Sequence, residues 1–146
     1  MALYFDRLLP PSTKGALAVD VEWHPIQGFI AVAAYSEEKG GIVVVYNEPG
    51  DILDTIEAPP STASAHSSAL SWHPTRPLLA IGWEGGEVWC VPVSETASKF
   101  GGKSATKDYM KQSGAGAEKL HKDPVGLLQW SRLGSRMVSG DQVRDS

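Results

Sequence analysis

Short apolar runs of four to six residues recur along the chain, and Gly, Pro or Asn bounds each of them. Runs of this length that are rich in Val, Ile and Trp and end at turn-forming residues are typical of β-strands. The pattern predicts three strands at about 19–23, 29–34 and 42–46, a candidate fourth at 52–57, and a second set at about 69–72, 78–83 and 87–91. We therefore expect an all-β protein of antiparallel strands.

The two sets of strands repeat one another. Trp23-His24-Pro25 is matched by Trp72-His73-Pro74, and FIAVA at 29–33 is matched without a gap by LLAIG at 78–82. A third, weaker copy surrounds Trp130, so that the three tryptophans are 49 and 58 residues apart. These intervals are close to the roughly 40–45 residues of a WD repeat once loop insertions are allowed. The repetition predicts a fragment of a WD40 β-propeller, with about two and a half stacked blades.

Turn residues fit this arrangement. Pro25 and Pro74 have no amide hydrogen and a fixed φ, so we place them in the turn after the first strand of each blade. Gly82, Gly85 and Gly86 are expected to supply positive φ for a later turn of the second blade.

The third copy has the most informative spacing. Val125, Leu128 and Trp130 follow His121 by four, seven and nine residues, as in WD repeats. We expect His121 to form hydrogen bonds within its own blade, because buried polar groups are nearly always paired. The sites predicted from sequence are otherwise structural: His24 and His73 are expected to be paired in turns, and Trp23, Trp72 and Trp130 to pack in the core. Trp83, just before the 84–86 turn, is a candidate interface anchor, because exposed aromatic residues are favoured at interfaces.

Composition narrows the function classes. A net charge of −4 and a pI near 5.5 give no basic stripe for nucleic acid. Cys90 is the single cysteine, which favours a reducing compartment without disulfides or a thiolate zinc site. No apolar stretch approaches the roughly 20 residues of a membrane span, and the opening MALYFDRLLPP lacks a signal-peptide pattern. We expect a cytosolic protein with protein partners, no cofactor and no membrane insertion.

Residues 93–123 differ from the rest in composition, since they are rich in Gly, Ser, Ala and Lys. We interpret them as a flexible insertion that separates the first two blades, at 1–92, from an incomplete third blade at 124–146. The insertion contains a relaxed phosphate-loop pattern from Ala97 to Ser104, in which Lys103 would contact phosphates and Ser104 would bind magnesium. Three features oppose nucleotide binding: Ala97 replaces the first glycine, Pro92 interrupts the preceding strand, and the residues that follow allow at best two turns of helix before the next glycine. A phosphate loop also belongs in a parallel sheet, whereas these strands indicate an antiparallel meander.

Longer phrases give a more specific resemblance. MALYFD, LSWHPTRPLLAIGWEGGEV and LLQWSRLGSRMVSGD are similar to the amino-terminal WD-repeat region of the intraflagellar transport protein 140 family, over residues 1 to about 141. The resemblance implies a non-enzymatic scaffold with no catalytic residues. It also implies partners among the subunits of intraflagellar transport complex A and the ciliary transport train. The implied roles are retrograde transport, cilium assembly and entry of membrane receptors, at the cilium, its basal body, the cytoplasm and the cytoskeleton.

Alternatives remain at this stage, namely an unrelated WD-repeat adaptor or coat component and a small nucleotide-binding protein of the phosphate-loop type. Two and a half blades are also fewer than the 4 to 8 that normally close a propeller. We therefore expect a truncated form whose isolated chain aggregates or binds chaperones through uncovered strand edges.

Overall fold

The structure is a computed structural model in which residues 17–36, 40–58, 67–94, 118–119 and 121–141 are described. Within these residues no helix is long and apolar enough to span a membrane. The described part of the chain contains ten strands, which are β1 (Leu17–Trp23), β2 (Phe29–Ser36), β3 (Gly40–Asn47), β4 (Ile52–Glu57), β5 (Ser67–Trp72), β6 (Leu78–Trp83), β7 (Glu87–Pro92), β8 (Glu118–Lys119), β9 (Val125–Trp130) and β10 (Met137–Asp141).

The strands form three antiparallel sheets, each connected in chain order. Blade 1 is the sheet β1-β2-β3-β4, blade 2 is β5-β6-β7-β8, and blade 3 is the pair β9-β10. Adjacent sheets stack face to face, so that blade 2 lies between the other two. The predicted all-β arrangement of about two and a half antiparallel blades is confirmed.

Strand number departs from expectation in blade 2. The candidate fourth strand of blade 1 is present as β4, but blade 2 also has a fourth strand where only three were predicted. This strand, β8, comes from within the predicted insertion and pairs with β7 through Glu87↔Lys119 and Val88↔Glu118. Its two residues, one glutamate and one lysine, carry no apolar pattern. The Ala97–Ser104 phosphate-loop candidate lies outside the described residues.

Each blade has two faces of different character. We define the front face as the one turned toward the next blade in the chain, and the back face as the opposite one. The front face of blade 1 carries both large and small side chains, which are Phe29, Ala31, Ala33, Val43, Val45, Leu53 and Ile56, and the front face of blade 2 carries the small ones of Ala69, Ala80, Val88 and Cys90. Back faces carry large ones, which are Leu70, Trp72, Leu79, Ile81, Trp89 and Val91 in blade 2 and Leu128, Trp130 and Met137 in blade 3.

Two apolar cores result where a back face meets the front face before it. Leu79, Ile81 and Val91 of blade 2 are fully buried against blade 1, and Val125 of blade 3 is fully buried against blade 2. Burying one such side chain contributes about 1.5–3 kcal/mol. Stacking between blades is therefore a principal source of stability.

Gly82 serves blade stacking and not a turn, which corrects the expectation from sequence. It lies inside β6, and a Cβ there would be 2.6 Å from Cγ1 of Val125 in blade 3. Gly86 does lie in the turn before β7, with a φ of 95° that glycine adopts without steric cost. The two glycines are thus required for different reasons, close sheet approach and backbone conformation.

Candidate functional site

The turn that begins at the Trp-His-Pro motif is organised by its histidine. In blade 1 the amides of Ile26 and Gln27 donate to Nδ1 of His24, at 3.1 and 2.9 Å. Pro25 has no amide hydrogen to offer. Because Nδ1 accepts, the ring proton is on Nε2, which donates to the carbonyl oxygen of Arg76 in blade 2 at 2.8 Å. One imidazole therefore closes its own turn and bonds the next blade.

Blade 2 repeats this arrangement. The amides of Thr75 and Arg76 donate to Nδ1 of His73, at 3.2 and 2.9 Å. Its Nε2 donates to the carbonyl oxygen of Gly134 in blade 3, at 3.0 Å. Both histidines are only 5% exposed. Arg76 and Gly134 each lie four residues after the tryptophan of their blade, so the two bonds are equivalent.

Whereas each histidine donates to the next blade, the tryptophans of blades 2 and 3 donate a hydrogen bond to the preceding blade. Nε1 of Trp72 donates to the carbonyl oxygen of Glu22 in blade 1 at 2.9 Å, and Nε1 of Trp130 donates to that of Ser71 in blade 2 at 3.2 Å. The rings also meet edge to face, with centroids 5.2 Å apart for His24 and Trp72. We call the paired His and Trp bonds at one seam the inter-blade clasp.

Replacing His73 by alanine is expected to lower the free energy of unfolding by about 1–3 kcal/mol, because it leaves buried backbone groups of the turn and of Gly134 without a partner. Chemical denaturation followed by tryptophan fluorescence measures this effect. Ser131→Ala, at the equivalent position of blade 3, is the matched control and should cost less than about 1 kcal/mol. Equal losses for the two variants would contradict a clasping role of the histidine.

Blade 3 differs at this position. Ser131 replaces the histidine, and its Oγ accepts a hydrogen bond from the amide of Arg136 at 3.1 Å, within the same turn. Blade 3 is joined to blade 2 by Trp130 and by His73, but Ser131 offers no imidazole toward a further blade.

His121 contacts two side chains of β10. Its Nε2 is 2.8 Å from Oγ of Ser139, and its Nδ1 is 3.8 Å from Oδ2 of Asp141. Serine, histidine and aspartate also form hydrolase triads. Here, however, the separation from Asp141 exceeds hydrogen-bond range, and Ser139 lies inside a strand instead of on the sharp turn that exposes a nucleophile. The arrangement attaches the segment before β9 to the end of β10.

Two tryptophans are placed opposite to expectation. Trp83, the candidate interface anchor, is fully buried and meets Trp89 edge to face at 5.3 Å, because it is part of the core between blades 1 and 2. Neither indole N–H has a hydrogen-bond partner among the described residues. Trp23, expected in the core, is 53% exposed. It is equivalent to Trp72, but it lies on the back face of blade 1, and no described blade covers its side chain.

Among the described residues, no group of three or more His, Cys, Asp or Glu side chains could hold a metal ion. Burial raises the pKa of the Tyr46 hydroxyl and of the Cys90 thiol. Partial burial, and secondarily the charge of Asp20, raises the pKa of Glu22, whose carbonyl oxygen belongs to the first clasp.

Cys90 is expected to react several-fold more slowly with a thiol reagent in the folded chain than in the denatured chain at pH 7.5–8, because burial keeps more of it as the thiol. Reaction with Ellman's reagent, with and without denaturant, measures this ratio. The rate in the folded chain should rise with pH as the thiolate forms. Equal rates in the two states would show that the front face of blade 2 is uncovered.

The acceptors of the clasps could not be identified from the sequence, since they are the backbone carbonyls of Glu22, Ser71, Arg76 and Gly134. The available signal was the gap-free repetition of Trp-His-Pro, which implies that any bond made at one seam recurs at the next. Gln27 was missed as well. Its side-chain amide donates to the carbonyl oxygen of Thr75 at 3.0 Å and adds to the first clasp.

Comparison with known proteins identifies the fold and the family of this chain. A solved chain described as "Crystal Structure of Mitotic Checkpoint Complex" matches with a TM-score of 0.58 at 20% sequence identity. The match covers 87% of this chain and 32% of that one, so the present chain spans about a third of its structural relative. At this identity the likeness concerns the fold alone. A family model described as "IFT140 first beta-propeller" matches residues 2–144. The chain therefore belongs to the IFT140 first β-propeller family.

Proposed function

We propose that this chain is a scaffold module of intraflagellar transport complex A, which serves retrograde ciliary transport, cilium assembly and entry of membrane receptors into the cilium. The observation that carries the proposal is the match of residues 2–144 to the first propeller of IFT140. The expected partners are other subunits of complex A and of the ciliary transport train. The expected location is the cilium and its base.

The contacts of the described residues support a binding role more than a chemical one. Four of the five tryptophans, and both histidines of the Trp-His-Pro motifs, are used between blades. Hydrogen bonds that join one sheet to the next fix the relative position of the turns at residues 24–28, 73–77 and 131–136. A rigid set of turns is suited to presenting loops to neighbouring subunits.

Proximity labelling in ciliated cells tests the proposal. The tagged 146-residue chain is expected to label complex A subunits above the level of a WD-repeat fragment of similar length from an unrelated protein. The expected signal also concentrates at the ciliary base. Labelling of coat subunits in place of complex A would favour the adaptor alternative and overturn the proposal, as would labelling no stronger than that of the control.

A further inference from the structure

The arginines of the described residues all lie at one end of the strands. Arg76 is in the turn between β5 and β6, Arg132 and Arg136 are in the turn between β9 and β10, and all three are exposed. The described acidic residues of blades 2 and 3 lie at the opposite end of the strands, and they are Glu84, Glu87, Glu118, Asp123 and Asp141. Charge is therefore separated along these two blades, although the whole chain carries a net charge of −4.

The two turns that carry the arginines are held next to each other by the clasp of His73. The amide of Arg76 donates to Nδ1 of His73 at 2.9 Å, and Nε2 of the same ring donates to the carbonyl oxygen of Gly134 at 3.0 Å. The amide of Arg136 donates to Oγ of Ser131 at 3.1 Å. The backbone that carries the arginines is thus fixed. Within the described part of the chain, no carboxylate forms an ion pair with their guanidinium groups.

An exposed apolar side chain accompanies the arginines. Leu133 is in the same turn as Arg132 and Arg136, and it is 83% exposed. It follows the tryptophan of its blade by three residues, as Ile26 and Thr75 do in blades 1 and 2. Ile26 and Thr75 are exposed as well, although a following blade packs against each of those sheets. The exposure of this position therefore does not depend on whether another blade follows blade 3.

We propose that this surface, which we call the arginine end and define by Arg76, Arg132, Leu133 and Arg136, binds an acidic segment of a partner protein. Carboxylates of the segment pair with the guanidinium groups, and an apolar side chain of the segment contacts Leu133. Guanidinium groups bind carboxylates through two parallel hydrogen bonds, and arginine is enriched at protein interfaces. The proposal rests on the proposed scaffold role for the presence of a protein partner, and it specifies the surface and the chemistry of the contact.

Acidic residues of blade 1 favour a narrow partner over a wide anionic surface. Glu48 and Asp51 lie in the turn between β3 and β4, which is at the same end of the strands as the arginines. Glu48 is beside the β1–β2 turn, since a Cβ on Gly28 would be 3.1 Å from Cβ of Glu48. A membrane or a nucleic acid carries negative charge over a wide area and would meet these carboxylates. A single acidic segment can lie along blades 2 and 3 without approaching them.

Fluorescence anisotropy of a labelled peptide mixed with the 146-residue chain tests the proposal. The probe is a short fluorescein-labelled peptide of glutamates around two central leucines, and the control peptide has glutamine in place of each glutamate. At low ionic strength the acidic peptide is expected to bind at least about tenfold more tightly than the control peptide, because several charge pairs act together. Added salt should reduce this difference, since exposed charge pairs are screened.

Charge reversal locates the bound peptide. Arg76→Glu is expected to weaken binding of the acidic peptide about three- to tenfold, and Arg132→Glu combined with Arg136→Glu at least about tenfold, because attraction becomes repulsion. Lys122→Glu is the matched control, since it changes the net charge equally but lies before β9 at the opposite end of the strands. It should change the affinity by less than about twofold. Circular dichroism verifies that each variant is folded.

Leu133→Ser tests the apolar part of the contact. It is expected to weaken binding of the acidic peptide about three- to tenfold, because the leucines of the peptide lose the surface against which they pack. Leu17→Ser is the matched control, since Leu17 is 75% exposed but lies at the start of β1, at the opposite end of the strands. This control should leave the affinity unchanged.

Three outcomes would overturn the proposal. They are equal affinity for the acidic and the glutamine peptide, equal losses for Arg76→Glu and Lys122→Glu, and binding of phosphatidylserine vesicles in preference to the acidic peptide. The last result would assign the arginine end to a membrane.

Proximity labelling separates this proposal from the proposed function. The chain with Arg132→Glu and Arg136→Glu is expected to label complex A subunits less than the Lys122→Glu chain does. Labelling of complex A that both variants retain in full would overturn the docking surface and leave the proposed function standing. If the wild-type chain labels no complex A subunit, the proposed function fails, and the peptide titration decides on the arginine end by itself.

Discussion

Trp72→Ala is expected to lower the free energy of unfolding by about 3–5 kcal/mol, whereas Trp23→Ala should lower it by less than about 1 kcal/mol. The two residues occupy equivalent positions of the repeat, and the same atoms are removed from each. Any difference between the two losses of stability is therefore due to what covers each indole and not to the residue type.

The reason is the seam between blades 1 and 2. Trp72 is 6% exposed, its ring stacks on Phe29 with centroids 6.0 Å apart, and its N–H donates to the carbonyl oxygen of Glu22. Alanine would leave a cavity between two sheets and a carbonyl oxygen without its donor. Trp23 is 53% exposed, so its removal withdraws much less surface from the core.

Equilibrium denaturation with urea, followed by far-ultraviolet circular dichroism, measures the difference without relying on the removed fluorophore. Both variants must be compared at the same protein concentration. Similar losses for Trp72→Ala and Trp23→Ala would contradict the burial of the first and the exposure of the second.

The repeat made most of the fold predictable. Apolar runs between turn residues located six strands and the candidate β4, because each of these strands is long enough to carry its own pattern. Glu118–Lys119 was missed because one glutamate and one lysine carry no strand pattern, and their pairing with β7 is not visible in the local sequence. Local patterns predict strands, but a two-residue strand is defined by its neighbour.

Burial was harder to predict than strand position. Trp23 and Trp72 have the same local sequence, so the sequence predicted one environment for both. Their environments differ because of what lies behind each blade, which is a property of the stack. Trp83 was misplaced for a related reason. Its position beside a turn suggested exposure, but β6 continues to this residue with its side chain in the core between blades 1 and 2.

Gly82 was misassigned because the glycines of 82–86 were treated as one turn signal. The structure separates them, with Gly82 facing Val125 across a sheet contact and Gly86 at positive φ in the turn. A glycine kept for close approach and one kept for backbone freedom cannot be told apart from sequence, since both only require the absence of a side chain.

Gly86→Ala is expected to lower the free energy of unfolding by about 2–5 kcal/mol, because two costs add. A φ of 95° strains any residue that has a Cβ. The new Cβ would also collide with the carbonyl oxygen of His121, a backbone atom that cannot turn aside as a side chain does. The amide of His121 in turn donates to the carbonyl oxygen of Gly86 at 3.2 Å, so relieving the collision breaks this bond.

The matched control is Gly50→Ala in the turn between β3 and β4, where φ is 98°. It measures the conformational cost, expected at about 1–2 kcal/mol. Hydrogen exchange should locate the additional loss, with faster exchange of amides in β9 and β10 for Gly86→Ala and unchanged exchange there for Gly50→Ala. Blade 3 follows the His121 segment, which Gly86 and Ser139 hold from its two sides, so displacing that segment should loosen the sheet after it. If the two alanine variants lost equal stability, the approach of His121 to the blade 2 turn would have no part in holding blade 3.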